Sequence, residues 1–253
     1  MKHTWKAALA VATAAMIGTA GAARADLTLD GATGLFSNPT AEIVSKSGPE
    51  IMGEYLRQSD SGYHDNTYGI HGAIQAADKL ELNAGYEHDN DNYYGPGNFW
   101  HIGGKYQLMN QREKGFDLAV GGDYGRYTEA HDYKANYSFA YLAATKAFAN
   151  SKSRAPIQGT LGLRWDKLTD NDDVNSSKFS VYGGVEVPVT NTDEISLIGE
   201  LGSKRYDDND AVWDVGVRYH PQNSGISLGA GVGNPWGFTG TTLFAQVGYQ
   251  FGR

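Results

Sequence analysis

Residues 241–251, TTLFAQVGYQF, alternate between two kinds of side chain near the end of the chain. The first set is apolar or aromatic: Leu243, Ala245, Val247, Tyr249 and Phe251. The second set is mostly polar or small: Thr242, Phe244, Gln246, Gly248 and Gln250. A period of two is that of a β-strand, and about eleven residues suffice to cross a bilayer at a tilt. The stretch therefore predicts a transmembrane strand with one face toward lipid and the other toward a polar interior.

The same pattern recurs upstream, where we count about twelve strands between residue 50 and the end of the chain. The connections alternate between short turns and longer loops that are acidic or rich in glycine, as in barrels with short periplasmic turns and long external loops. The sequence thus predicts an all-β fold, a transmembrane antiparallel up-and-down β-barrel of about 12 strands. A soluble β-sandwich is the alternative, but it requires neither this alternation nor aromatic residues on outward faces.

Two strands carry specific expectations about their faces. In the first strand the inward face is ambiguous, since Ile51 and Tyr55 alternate with Met52 and Leu56. In the sixth strand the aromatic residues are expected outward and the polar ones inward, because aromatic side chains form the girdles at the two membrane interfaces. The outward set there is Tyr137, Phe139 and Tyr141, and the inward set is Asn136 and Ser138.

The chain divides into three parts. Residues 1–25 have a basic head, an apolar middle and a small-x-small end, which predicts a secretory signal peptide cut after Ala25. A membrane-anchoring helix is the alternative, but the apolar run is short. Residues 26–49 are irregular and contain Pro39, which removes a ladder donor, so they are expected to form a lead-in or a plug. Residues 50–253 are expected to form the barrel.

The amino-acid composition narrows the possible classes of protein further. The chain has no cysteine, so barrel closure depends on hydrogen bonding and not on disulfides. Removing residues 1–25, which hold three basic residues and no acid, changes the formal net charge from −8 to −11. An acidic chain argues against nucleic-acid binding. The predicted location is the bacterial outer membrane, with its lipid and lipopolysaccharide as surroundings and the oligomeric state left open.

Residues 33–41, TGLFSNPTA, resemble the opening of the YjbH-like outer-membrane barrels of Gram-negative bacteria, which are associated with exopolysaccharide export. Residues 249–251, Tyr-Gln-Phe, are similar to the aromatic-x-aromatic ending that the barrel-assembly machinery reads. The tail departs from that ending because Gly252 and Arg253 follow it, and Gln246 stands where a glycine is usual. The resemblance implies the assembly machinery as a partner and supplies no catalytic residues.

Charged residues of both signs fall on the expected inward faces. They are the candidate pore-lining residues Lys105, Arg164, Arg218, Lys204, Glu81, Asp117, Asp123, Glu186, Glu200 and Asp214. A lumenal charge must be hydrated or paired, because burying it alone is costly. Eight strands are filled by their own side chains and sixteen leave a channel, so about twelve favours a narrow or partly obstructed pore. The predicted function is passive passage of ions or small solutes, or an accessory role in polysaccharide export; the alternative is a structural or adhesive barrel with a filled lumen.

A surface hydrolase is the rival class. Its candidates are three His-Asp pairs at or near external loops: His64-Asp65, His88-Asp89 and His131-Asp132. Neighbours on a strand point to opposite faces, and no Gly-x-Ser-x-Gly elbow is present, so we predict that the protein is not an enzyme.

Three acidic runs, 89–92, 170–173 and 207–210, offer oxygen ligands suited to calcium or magnesium. None of them fits the EF-hand spacing. The sequence therefore predicts no metal site and no cofactor.

Overall fold

Twelve β-strands make up most of the protein. The computed structural model describes residues 27–60, 63–91, 95–148, 156–171, 174–190, 194–206, 209–237 and 240–252. The predicted signal peptide, residues 1–25, lies outside the described residues. The strands are β1 Glu50–Asp60, β2 Tyr63–Ala77, β3 Leu80–Asp91, β4 Gly95–Met109, β5 Asp117–Glu129, β6 Lys134–Phe148, β7 Ile157–Asp170, β8 Asn175–Pro188, β9 Ile195–Gly202, β10 Val212–Tyr219, β11 Ile226–Asn234 and β12 Thr241–Gln250. A one-turn helix α1, Gln111–Lys114, and a 3-10 turn, Ala130–Asp132, lie between strands.

The strands close into one antiparallel barrel in chain order, which confirms the predicted fold class and strand count. β1 pairs with β12 from Glu50 opposite Gln250 to Ser59 opposite Thr241. Closure satisfies the backbone groups that an open sheet edge would leave unpaired, which a strand in lipid requires. Among the described residues, no helix is long and apolar enough to cross a membrane.

Side chains alternate between the two faces of the wall. On β7 and β8 the outward residues Leu161 and Phe179 are 72% and 78% exposed. On β12 the inward Phe244 is only 3% exposed, as the pattern of residues 241–251 predicts. The ambiguous first strand turns Met52 and Leu56 inward, where both are buried.

The predicted faces of β6 are wrong. Tyr141 is inward and 4% exposed, whereas its neighbour Leu142 faces out. Phe139 also faces in, where the guanidinium of Arg164 lies 3.6 Å from the ring centroid. Aromatic side chains occupy the lumen here because they fill space and stack on a buried cation. The aromatic residue of an alternating pair therefore does not identify the lipid-facing side of this strand.

The wall is taller on one side than the other. Strands β1–β8 have 11 to 15 residues, whereas β9–β12 have 8 to 10. Much of what the sequence predicts as long loops, such as residues 88–98, is paired strand: β3 runs to Asp91 and β4 begins at Gly95. At the barrel end opposite Pro49 and Phe251, strands rich in polar side chains thus remain hydrogen-bonded to each other.

Replacing Leu163, which faces out in the middle of β7, by arginine tests this arrangement. We expect Leu163→Arg to lower the free energy of unfolding in lipid vesicles by about 2–4 kcal/mol, because the charge enters the hydrocarbon region. The matched control is Val174→Arg, at an exposed position just before β8, with an expected loss of about 0–1 kcal/mol. Equal losses in urea titrations of the two variants would contradict the predicted position of the wall in the bilayer.

Candidate functional site

Residues 27–49, which we term the lumenal segment, lead directly into β1, and residues 27–44 lie inside the barrel. The segment has little regular structure, with two isolated bridges, Leu27 to Thr33 and Gly34 to Pro39. Its polar backbone groups contact side chains from strands around the whole wall, including Thr145 of β6, whose hydroxyl accepts a 2.9 Å hydrogen bond from the Ala41 amide. The backbone N–H of Phe251 donates to the Pro49 carbonyl oxygen at 2.9 Å, which ties the segment's end to the barrel seam.

Inward carboxylates hold the amides of the segment. The two oxygens of Glu81 accept from the Thr33 amide at 2.9 Å, the Thr33 hydroxyl at 2.6 Å and the Val44 amide at 2.7 Å. These are charge-assisted hydrogen bonds, which are about twice as strong as neutral ones. One carboxylate on β3 thus fixes two separate points of the segment.

Two further acids, Glu200 and Asp214, bind residues 36–38 of the segment. Glu200 accepts from the Phe36 amide at 2.5 Å, the Ser37 amide at 2.9 Å and the Asn38 side-chain amide at 2.8 Å. The Ser37 hydroxyl donates to Asp214, which lies directly opposite Glu200 in the pairing of β9 with β10. The segment therefore supplies hydrogen-bond donors to both carboxylates.

Inward cations hold the carbonyl groups of the segment. The Lys105 ammonium donates to the carbonyl oxygens of Thr33 and Glu42, both at 2.6 Å, and lies 3.5 Å from Glu81. Wall charges of each sign therefore bind backbone groups of the opposite polarity. The result is a hydrogen-bonded core between the β3–β4 wall and the segment.

Two arginines on other sides of the lumen also donate hydrogen bonds to the segment. Arg218 donates to the Leu35 carbonyl at 3.0 Å and to Glu186 at 3.3 Å. Arg164 donates to Asp166 at 2.7 Å and to Asp30 of the segment at 3.1 Å. Burial alone would raise the pKa of Asp30, but the positive charges of Arg164 and Arg205, together with the Arg164 hydrogen bond, outweigh burial and hold that pKa below its ordinary value.

Apolar packing also holds the lumenal segment against the barrel wall. Phe36 is fully buried and meets Phe244 of β12 edge to face, with ring centroids 4.9 Å apart. Leu29 and Leu35 join the same cluster, together with Leu56 of β1. Burying each such side chain contributes about 1.5–3 kcal/mol, so the segment is held by packing as well as by hydrogen bonds.

Most predicted pore-lining residues point into the lumen. The structure buries the following ones: Lys105, Arg164, Arg218, Glu81, Glu186, Glu200 and Asp214. Asp123 also points inward, with its side chain 5% exposed. Asp117 is half-buried at the barrel end where Pro49 meets Phe251, and it accepts a hydrogen bond from the Gln111 amide at 2.8 Å. That these residues line an open pore stays a prediction.

Lys204 is misplaced by the sequence pattern. β9 ends at Gly202, so alternation no longer fixes the faces beyond it, and Lys204 is exposed. The next residue, Arg205, is buried and donates to the Ser37 carbonyl at 3.4 Å.

The described rim histidines do not act together with their neighbouring aspartates. His64 is exposed and lies 3.3 Å from the Ser59 hydroxyl, whereas Asp65 is half-buried and accepts from the Asn90 amide. His88 is exposed and lies 3.0 Å from the Asn98 side chain.

Asp89, the neighbour of His88, turns the other way and accepts from Tyr127 at 2.7 Å. The side chain of His131 and parts of all three acidic runs lie outside the described residues.

Inward histidines are the functional candidates that sequence reasoning missed. The alternation of side chains along β2 and β4 predicts that His71 and His101 face in, but no role follows from either alone. The structure places their rings in contact, with His71 Nδ1 and His101 Nε2 3.0 Å apart. Finding the pair requires the strand register, which the sequence does not supply.

Comparison with known proteins gives the fold and not a family. No protein-family model and no curated protein matches the chain. Among solved structures, a KdgM porin matches with a TM-score of 0.52 and 14% identity, covering 80% of this chain and 99% of that chain. The β domain of the Bordetella autotransporter BrkA matches with a TM-score of 0.50 and 14% identity, covering 81% and 99%. The chain therefore has the fold of outer-membrane β-barrels.

Glu81→Gln tests how the segment is held. Loss of the charge weakens the bonds from Thr33 and Val44 and leaves Lys105 without its carboxylate, so we expect the free energy of unfolding to fall by about 3 kcal/mol. Amide hydrogen exchange at Thr33 and Val44 should accelerate more than exchange in β7. The control is Glu113→Gln, on the exposed helix α1. Unchanged exchange at both amides would show that Glu81 does not anchor the segment.

Proposed function

We propose that this protein is an outer-membrane channel whose lumen is closed by the lumenal segment, and that ions or small hydrophilic solutes pass when the segment moves. The observation that carries the proposal is the buried course of residues 27–44 between charged side chains of opposite walls. A barrel of twelve strands is wider than its own side chains fill. The segment takes up the remaining space.

The contacts suit a removable closure. Many of them are hydrogen bonds between wall side chains and the segment's backbone, as at Lys105 and Glu200, and water can replace each at a net cost of about 0.5–3 kcal/mol. The segment continues directly into the barrel at Pro49. A wall freed of the segment keeps charged groups of both signs, which is the lining of a hydrated pore.

The proposed location is the Gram-negative outer membrane, reached by means of the signal peptide and the barrel-assembly machinery. The outward faces are apolar, and Trp100 and Tyr124 stack edge to face on the outer wall, as interfacial aromatics do. Lipid and lipopolysaccharide would surround this wall. An accessory role in polysaccharide export stays a prediction, since it depends on the YjbH-like resemblance of residues 33–41 alone.

Conductance in planar bilayers tests the channel. We expect the intact protein to be closed and a variant lacking residues 27–45 to give steady channels, because the deletion empties the lumen and keeps Pro49 at the seam. Circular dichroism and heat-dependent electrophoretic mobility establish that both barrels are folded. Silence of a folded deletion variant would replace the channel by a filled structural barrel, and steady conductance of the intact protein would show that the segment does not close it.

Ion selectivity of the deletion variant identifies the lining. Arg218→Glu, made in that background, should shift the reversal potential toward cation selectivity, because it reverses a charge on the inner face of β10. The matched control is Lys204→Glu, the same charge change at an exposed position outside β9. Equal shifts in the two variants would exclude Arg218 as a lining residue.

A further inference from the structure

A row of paired residues brings two histidines together over a glycine. His71 of β2 lies opposite Gly85 of β3, and Gly85 lies opposite His101 of β4. Any side chain at Gly85 would collide with both imidazoles, so the glycine is what allows them to meet across the intervening strand. The turn of the lumenal segment covers the pair: a Cβ placed on Gly31 would lie 2.9 Å from His101 Cε1 and 3.3 Å from His71 Nδ1.

Each imidazole has a carboxylate at its outer nitrogen. His101 Nδ1 lies 3.0 Å from Asp123 Oδ2, and Asn83 donates to the same oxygen at 3.2 Å. His71 Nε2 lies 3.2 Å from Glu54 Oε1. A hydrogen bond to Asp123 places the hydrogen of His101 on Nδ1 and leaves its Nε2 as a lone pair, whereas the contact between His71 Nε2 and Glu54 lacks hydrogen-bond geometry.

The two inner nitrogens, His71 Nδ1 and His101 Nε2, are 3.0 Å apart, the distance of a hydrogen bond in which the His71 N–H donates to the His101 lone pair. A metal ion bound by both nitrogens would displace that hydrogen. Two nitrogens bound to one tetrahedral zinc ion are about 3.3 Å apart, given Zn–N bonds of about 2.0–2.1 Å. The observed spacing therefore requires little movement to accept a metal.

Glu87 supplies a third ligand. One ligand atom from each of His71, Glu87 and His101 can be chosen so that all lie within 4.8 Å of one another. Around them are the two further carboxyl groups of Glu54 and Asp123, so three acids surround two imidazoles in a largely buried site. A divalent cation would favour the ionised form of these carboxyl groups, which is costly to bury unpaired.

We propose that His71, His101 and Glu87 bind one divalent transition-metal ion of the zinc type, with Asp123 and Glu54 orienting the two histidines. Two imidazoles and a carboxylate are the donors that such ions prefer. A carboxylate hydrogen-bonded behind a histidine, as Asp123 is behind His101, is the arrangement found around protein zinc sites. The proposal does not depend on the channel, because its test measures binding and not conductance.

The test uses full barrels extracted from outer membranes in detergent, stripped with a chelator and titrated with Zn²⁺ alone. Calorimetry should give one saturable site per chain, and Co²⁺ at the same site should give the visible absorption of a tetrahedral complex. His71→Gln should lower the affinity at least 100-fold. Asp123→Asn, which keeps all three ligands, should lower it about 10–100-fold. The matched control is His88→Gln, at an exposed histidine outside the cluster, which should bind as the native chain does.

The outcomes separate a metal site from a hydrogen-bonded pair. Absence of a saturable site in the folded native protein would overturn the proposal and leave a shared proton between the imidazoles. Equal loss of binding in His88→Gln and His71→Gln would assign the metal to the surface and would also overturn it. If His71→Gln fails to fold, the native stoichiometry and the Asp123→Asn affinity still decide, since both come from chains with the ligands in place.

Discussion

The interior of the barrel depends on hydrogen bonds between charged side chains of the wall and the backbone of the lumenal segment. An irregular segment leaves most of its N–H and C=O groups without ladder partners, and buried backbone groups must be paired. The wall of this barrel carries buried ions that face the same requirement. Glu81 accepts amides and Lys105 donates to carbonyls, so each side supplies what the other lacks. Neither a regular helix in the lumen nor an apolar wall would meet both needs.

Glycines make room for this polar interior. On the inward face, Gly103 lies between Asn83 and Asp123 in the pairing of β3, β4 and β5, and Gly85 lies between the two histidines. A side chain at either position would collide with the groups that meet there. The wall can therefore place large polar side chains in rows that touch across an intervening strand. The high glycine content serves packing in the lumen as much as strand curvature.

The fold could be predicted from the sequence because a period of two, repeated along the chain, is a local property. The predicted faces are wrong where local chemistry is ambiguous: on β6 polar and aromatic residues alternate, and Phe139 faces in beneath the Arg164 guanidinium of the next strand. The predicted inward position of Lys204 is wrong because the alternating pattern does not show where β9 ends. The site depends on pairings such as that of Phe36 with Glu200, 164 residues apart, which no local signal contains.

The wall charges differ in how much they depend on the segment. Lys105 and Glu81 pair within the wall at 3.5 Å, and so do Arg218 and Glu186 at 3.3 Å. Glu200 and Asp214 are different, because they are two acids directly opposite each other whose bonded donors include the amides and side chains of residues 36–38. Withdrawal of the segment would remove those donors from two neighbouring buried acids. The two acids therefore depend on the segment more than the charged groups that pair within the wall do.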